Sequence, residues 1–369
     1  MLRSGFRALI INKKIKPVTR IYNHDHPFTV ESGQTLPGFH LAYTTHGRLN
    51  SSRDNVVWIF HALTANSNPL EWWPGLVGEG KYFDPSRYFI ICVNKPGSPY
   101  GSISPLSRNP ETGQPYHTSF PVFSIRDMVR TYQHLRVHLD IQRIHLGLGG
   151  STGGMQLLEW AIEEPELFEH IVPIATNAVL SPWAIAFNAT QRMAIEADPT
   201  WLHATPEAGQ KGLAAARAMA LLSYRHYTGY GITQTRDKLF VPLTEEVQYA
   251  ADNYQRYQGI KLVNRFHALC YYRLSQSMDS HDVGRGRNGV EAALRRIQAR
   301  TLVIGITSDV LYPISEQQFL QQNIPGAELL TIPSDYGHDG FLLEYEKIES
   351  ALAEFISNNR KPYLKIVNN

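Results

Sequence analysis

The feature that most constrains this chain is a glycine-rich pentapeptide, Gly149-Gly150-Ser151-Thr152-Gly153, which fits the pattern G-x-S-x-G. An apolar run over residues 143–148 precedes it, and a helical pattern over residues 155–162 follows it. This order predicts a strand, a sharp turn and a helix. Glycines permit a strained turn with little bulk around the serine, so its hydroxyl can project from the edge of a sheet. We therefore expect Ser151 to be a nucleophile.

The C-terminal third supplies an acid and a histidine, each just past a short apolar run. Asp309 follows residues 301–306, and His338 follows residues 327–332. Serine, acid and histidine in this chain order are the catalytic triad of α/β hydrolases. In that triad His338 takes the proton of Ser151, while Asp309 fixes the imidazole tautomer. The alternative is that Asp309 is a turn residue and His338 an ordinary surface histidine.

Two backbone N–H groups are expected to form an oxyanion hole. One belongs to Thr152, the residue after the nucleophile, because the start of a helix offers free N–H groups. The other is expected in the loop His61-Ala62-Leu63-Thr64, which follows an apolar run at residues 56–60, and Leu63 is the predicted donor. His61 could instead be a catalytic base, but we favour a role in shaping the turn because the triad already contains a base.

Strand-like runs alternate with helical stretches over most of the chain. The predicted strands are 39–44, 56–60, 88–94, 143–148, 171–175, 301–306 and 327–332. This alternation predicts an α/β fold with a mostly parallel sheet and helices on both faces. Residues 181–299 show helical segments and no convincing buried strand, so we predict a helical lid domain there. The core would then comprise residues 21–180 and 300–369, preceded by a basic, disordered extension at residues 1–20.

Composition narrows the class of partner. The net charge is +2, and no basic patch with interleaved aromatic residues predicts nucleic-acid binding. No apolar stretch reaches the length of a membrane span, so no membrane partner is expected. The two cysteines, Cys92 and Cys270, lack metal-type or redox-type neighbours, which favours free thiols and a cytoplasmic location. His24-Asp25-His26 is interpreted as an exposed turn, so no metal site and no bound cofactor are predicted.

Several separated segments share their residues and their order with one enzyme family. They are residues 61–64, 109–113, 120–122, 125–129, 149–161, 191–195, 277–287 and 336–339. Through these segments the chain resembles the homoserine O-acetyltransferases of the α/β-hydrolase superfamily over roughly residues 27–355.

The resemblance implies an activity and two further site residues. It implies that acetyl-CoA, as co-substrate, acylates Ser151, and that the side-chain hydroxyl of L-homoserine then takes the acetyl group, a reaction of methionine biosynthesis. It also implies that Arg192 binds the α-carboxylate, that Asp339 binds the α-ammonium, and that the enzyme is a homodimer through the helical lid. On the residues alone, Arg192 would form a surface ion pair and Asp339 would cap a helix.

Three segments depart from the usual residues of that family. Thr152 stands where methionine commonly follows the serine, Ala65-Asn66 stands where Gly-Asp is frequent, and Lys95-Pro96-Gly97-Ser98-Pro99 replaces a glycine-rich stretch. Because these loops border the acyl site, succinyl-CoA as donor and L-serine as acceptor stay open. Two further alternatives are a plain serine esterase, which needs no charge clamp for an amino acid, and a catalytically inactive binding protein on this fold.

Overall fold

The protein is described by a computed structural model that covers residues 19–241 and 246–358. The extension predicted for residues 1–20 lies almost wholly outside the described residues. The strands are β1 (Arg20–His24), β2 (Phe28–Thr29), β3 (Thr35–Leu36), β4 (Phe39–His46), β5 (Val56–Phe60), β6 (Phe89–Val93), β7 (Ile144–Gly150), β8 (Phe168–Ile174), β9 (Lys238–Val241), β10 (Glu246–Tyr249), β11 (Arg300–Ile306) and β12 (Glu328–Ile332).

The helices complete the element order. They are α1 (Pro69–Trp72), α2 (Ile125–His138), α3 (Thr152–Glu163), α4 (Pro182–Glu196), α5 (Gln210–Tyr224), α6 (Tyr227–Thr233), α7 (Ala250–Val263), α8 (Ala268–Asp279), α9 (Val290–Leu294), α10 (Ile314–Asn323), α11 (Gly340–Leu343) and α12 (Tyr345–Ser357), with 3₁₀ turns at His117–Ser119 and Gly337–Asp339.

Eight strands form one sheet in the order β1-β4-β6-β5-β7-β8-β11-β12. Strand β4 runs antiparallel to both of its neighbours, and every other neighbouring pair is parallel. Parallel neighbours require crossover connections, which helices such as α2 and α3 provide. The predicted α/β-hydrolase fold with a mostly parallel sheet is confirmed.

The central strands of the sheet are buried on both faces. In β5, Trp58 and Phe60 pack into one apolar cluster, while Val57 and Ile59 pack into a second one. Strands covered on both sides appear in a sequence as continuous apolar runs rather than as alternating patterns. This burial explains why the central strands could be located from the sequence.

Three features were not predicted, and one of them is the short antiparallel pair β2–β3. Strand β1 was missed because it is an edge strand with mostly exposed side chains, and it carries no apolar run. The segment between β8 and β11 contains helices α4 to α9, and it also contains a two-stranded antiparallel hairpin, β9–β10, separate from the main sheet. The division into a core and a lid domain stays a prediction. Within the described ranges, no helix is both long and apolar enough to cross a membrane.

Candidate active site

Ser151 occupies a sharp turn between β7 and α3. Its φ is 56° and its ψ is −127°, a conformation that is strained for a residue other than glycine. Two hydrogen bonds to the Ser151 backbone stabilise this conformation. The Ser151 N–H donates to the Ile174 carbonyl at 3.0 Å, and the Thr176 hydroxyl donates to the Ser151 carbonyl at 2.9 Å. A Cβ at Gly153 would overlap the Phe60 carbonyl oxygen, so the close approach of α3 to β5 requires glycine there.

Asp309 and His338 come together at the same edge of the sheet, beyond the carboxyl ends of β11 and β12. The His338 Nδ1 lies 2.6 Å from the Asp309 Oδ2, and both side chains are buried. The other oxygen of Asp309 accepts the N–H groups of Leu311 at 2.8 Å and Tyr312 at 2.9 Å, which fixes the carboxylate. With Nδ1 donating to Asp309, the Nε2 atom of His338 is left to act as the base.

The electrostatics of His338 suit that role. Burial alone would lower the pKa of His338, but the charge of Asp309 and its hydrogen bond outweigh burial and raise the pKa above its ordinary value. Aromatic rings surround the imidazole, with centroids 5.6 Å away for Tyr224 and 5.2 Å away for both Tyr312 and Phe341. These rings restrict water around the base.

The proposed oxyanion donors lie on either side of the nucleophile. Leu63 follows β5, and Thr152 is the first residue of α3. Parallel strands β5 and β7 are neighbours, so their carboxyl ends place both backbone groups near Ser151. Over residues 19–241 and 246–358, neither N–H donates to a protein acceptor, which leaves both available to a developing oxyanion.

His61 shapes the loop that carries Leu63. The His61 side chain is buried, its Nδ1 lies 2.8 Å from the Ala62 carbonyl, and its Nε2 accepts the N–H of Lys95 at 3.2 Å. Burial, followed by the charge of Lys95, holds the pKa of His61 well below its ordinary range. Both ring nitrogens are therefore engaged, and the geometry gives His61 no access to the Ser151 proton.

A cavity of about 480 Å³ lies over the serine. Ser151, His338 and Leu63 line it together, and Lys261 and Arg265 stand on α7 and just after it. Arg265 also donates to the Thr64 carbonyl and to the Tyr100 hydroxyl. The volume falls in the range of small-molecule sites. Two of the three triad residues, Ser151 and His338, therefore share one cavity with a predicted oxyanion donor and with cationic side chains, while Asp309 lies behind His338.

Asp339 lines this cavity, but Arg192 does not. Asp339 pairs with Arg225. The Arg192 guanidinium instead contacts the Asp279 carboxylate at 2.7 Å and the Ser275 hydroxyl at 2.7 Å, which ties α4 to α8. The Arg192 side chain is thus engaged between α4 and α8 and does not line the cavity, so its assignment to the substrate stays a prediction without support from this geometry.

A different arginine, Arg217, reaches the cavity from α5. Its guanidinium carbon lies 5.6 Å from the centre of the Tyr224 ring. No carboxylate among the described residues forms an ion pair with it. Sequence reasoning missed Arg217, although a signal was present: it is the only charged residue in the apolar stretch from Leu213 to Leu222.

One group of side chains elsewhere has the spacing of metal ligands. Ligand atoms of His145, Glu169 and His170 lie within 4.8 Å of one another. They stand at the starts of β7 and β8, at the opposite edge of the sheet from Ser151. Their position gives them no part in the chemistry at the serine.

Comparison with known proteins extends these observations. The alpha/beta hydrolase fold family matches residues 55–345. The chain is 46% identical to the homoserine O-acetyltransferase of Cyclobacterium marinum over 347 residues, which cover 94% of this chain and 97% of that protein. It is 42% identical to the homoserine O-acetyltransferase of Chlorobium luteolum, with 94% of this chain and 96% of that protein covered.

Solved structures agree on the fold. The crystal structure of homoserine O-acetyltransferase from Bacillus anthracis is similar with a TM-score of 0.83 and 27% identity, covering 94% of this chain and 98% of that one. Esterase E22 has the same TM-score of 0.83 at 23% identity, covering 92% of this chain and 100% of that one. The second likeness shows the fold alone.

Proposed function

The chain belongs to the homoserine O-acetyltransferase family of α/β hydrolases and is a transferase, and on this premise we propose that it moves an acetyl group from acetyl-CoA to the side-chain hydroxyl of L-homoserine through an acyl-enzyme. The observation that carries the proposal is the buried pair of His338 and Asp309 at the cavity that Ser151 lines. That arrangement provides a nucleophile, a base and an orienting acid.

The first half-reaction acylates the serine. The Ser151 oxygen attacks the thioester carbon while His338 Nε2 accepts the serine proton. The carbonyl oxygen becomes an oxyanion, which the N–H groups of Leu63 and Thr152 stabilise. The carbon–sulfur bond then breaks, and His338 returns the proton to the sulfur, so CoA leaves as a thiol.

The second half-reaction reverses these roles with an alcohol in place of the thiol. The hydroxyl of homoserine attacks the acetyl carbon of the ester on Ser151, and His338 removes its proton. The bond between acetyl carbon and serine oxygen breaks, and that oxygen takes the proton back from His338. The products are O-acetyl-L-homoserine and the free enzyme, so no external acid or base is consumed.

The charged ends of the acceptor find partners in the cavity. Arg217 offers a guanidinium fork to the α-carboxylate, and it replaces Arg192 in this proposal. Asp339 offers its carboxylate to the α-ammonium, since a carboxylate paired with Arg225 still has lone pairs to accept further donors. An amino acid bound between them would present its side chain to the acetyl group.

Cationic side chains beside the cavity favour binding of an acyl donor that carries negative charge. Lys261 and Arg265 are exposed side chains that could contact the phosphates of acetyl-CoA, which would bind as a co-substrate and not as a resident cofactor. The aromatic rings around His338 favour transfer over hydrolysis, because water must be kept from an acyl-enzyme that waits for its acceptor.

We also propose the homodimer through the lid and the cytoplasmic location expected from the sequence. Large apolar side chains on lid helices support the dimer, since Tyr227 is 92% exposed and Ile232 is 70% exposed. Light scattering coupled to gel filtration tests it, and a monomer across the micromolar range would contradict it.

An acyl-transfer assay tests the proposed function. Acetyl-, succinyl- and propionyl-CoA are crossed with L-homoserine and L-serine, with water as the reference acceptor. We expect acetyl-CoA with homoserine to give the highest kcat/KM, and parallel double-reciprocal lines when both substrates vary. Release of CoA at the same rate without an acceptor would instead identify a hydrolase, and intersecting lines would favour direct transfer in a ternary complex.

A further inference from the structure

Lys95 is a buried lysine next to the nucleophile. It follows β6, only 2% of its surface is exposed, and its Nζ donates to the Thr152 hydroxyl at 2.9 Å. No carboxylate in the part of the chain that the structure describes forms an ion pair with it. Burial of an unpaired cation is strongly unfavourable. A lysine at this position therefore lowers the free energy of unfolding, which suggests that it is retained for function.

The groups that face Lys95 are neutral. Burial, more than any other effect, raises the pKa of the Cys92 thiol, and burial followed by the charge of Lys95 holds the pKa of His61 well below its ordinary range. Burial also lowers the pKa of Lys95 itself to about 7, although the Cys92 thiol acts in the opposite direction. Lys95 is therefore the group here whose charge changes near neutral pH.

Thr152 connects Lys95 to the reaction. It is the residue whose backbone N–H is assigned to the oxyanion, and its side chain contacts the lysine. Its carbonyl accepts the Gln156 side-chain amide at 2.8 Å, and the Tyr132 hydroxyl donates to Gln156 at 2.7 Å. Thr152 is thus held at both its side chain and its carbonyl.

We propose that Lys95 is a positioning residue for acylation of Ser151: its Nζ holds Thr152, aims the Thr152 N–H at the oxyanion, and places positive charge behind the oxyanion hole. Preorganised charge close to a developing anion in a dry site lowers the barrier of the step that forms it. The inference rests on the proposed function only in taking Ser151 as the nucleophile. It requires neither acetyl-CoA nor homoserine.

The test uses p-nitrophenyl acetate, which transfers its acetyl group to the Ser151 oxygen and releases p-nitrophenol. Stopped-flow absorbance gives the acylation rate constant for the wild type, Lys95→Met, Thr152→Val and the double variant. Methionine is an unbranched side chain only one atom shorter than lysine, and it removes the charge. We expect Lys95→Met to slow acylation by roughly 10- to 100-fold. The double variant should be no slower than Lys95→Met, because both changes break one linked interaction.

A pH profile separates this role from a merely structural one. In the wild type, acylation should rise as His338 loses its proton and fall above about pH 7 as Lys95 loses its own. The falling limb should be absent in Lys95→Met. Stability supplies a second readout. Between the folded pKa of about 7 and the unfolded value near 10.5, the unfolded chain binds the extra proton, so wild-type stability should rise with pH there, and Lys95→Met should lack this rise.

The outcomes are distinct. Slower acylation with undiminished thermal stability and a lost alkaline limb supports the inference. The inference would be overturned if Lys95→Met acylates at the wild-type rate, if its pH profile is unchanged, or if it loses activity only in proportion to its loss of folding. It would also be overturned if the ester does not acylate the wild-type protein. If the ester acylates Ser151 in a Lys95-dependent way but no acetyl group reaches homoserine, the proposed function fails while this inference stands.

Discussion

The edge of the sheet and the helices between β8 and β11 contribute to one cavity in different ways. Ser151, Asp309 and His338 each follow a parallel strand, so the backbone itself brings them together. Arg217 comes from a helix between β8 and β11, where helix packing decides which side chains reach the cavity. Arg192 lies on the preceding helix and forms a partly buried ion pair with α8 instead. The predicted triad and the neighbouring Asp339 are thus placed by topology, whereas Arg217 is placed by helix packing.

The largest expected effect comes from the nucleophile at the sheet edge. Ser151→Ala should lower kcat for acetyl transfer by at least about 10⁵-fold, because no other group can carry the acyl intermediate. Circular dichroism should show an unchanged fold. A folded Ser151→Ala variant with measurable turnover would place the chemistry elsewhere.

The next effect concerns the partners of the serine. His338→Ala and Asp309→Asn should each lower kcat by about 10³- to 10⁴-fold, since the first removes the base and the second disturbs its tautomer. Because Asp309 raises the pKa of His338, the rising limb of the pH–rate profile should move to lower pH in Asp309→Asn. If the limb stays at the same pH, the group whose deprotonation it reports is not His338.

A smaller effect should distinguish the two arginines of the lid. Arg217→Ala should raise the KM for homoserine by about 30-fold or more, because the α-carboxylate would lose a charged partner in a confined site. Arg192→Ala is the matched control: it removes the contact with Asp279, so it should lower thermal stability and leave the KM for homoserine within a fewfold. The reverse pattern would restore the assignment made from the sequence.

The smallest effect is expected at the exposed cations. Lys261→Ala should raise the KM for acetyl-CoA only about twofold to fivefold, because exposed charge pairs are screened by water and salt. The effect should shrink as ionic strength increases, and the KM for homoserine should not change. An equal rise in both KM values would mean that Lys261 shapes the cavity rather than contacts the donor.

The sequence carried different amounts of information about the two regions. The apolar runs of β5, β7 and β11 are continuous because both faces are covered, so the strands and the residues that follow them could be predicted. The direction of a side chain on a lid helix depends on neighbours far along the chain. Arg192 forms an ion pair with Asp279, which lies 87 residues further along the chain, and no local sequence pattern predicts such a contact.

The same limit applies to the buried lysine. The segment from Lys95 to Pro99 stood out in the sequence only as a departure from its family. Its contact with Thr152 joins residues 57 positions apart. Only the fold shows that Lys95 and Thr152 meet beside the nucleophile.

The most direct test of the account is the mass of the peptide that contains Ser151 after the enzyme is mixed with acetyl-CoA without an acceptor. We expect one added acetyl group on Ser151, about 42 Da, formed together with one equivalent of CoA. Addition of homoserine should remove it and give O-acetylhomoserine as the product. An unmodified Ser151 in an enzyme that still transfers acetyl groups, or an acetyl group that homoserine does not remove, would contradict it.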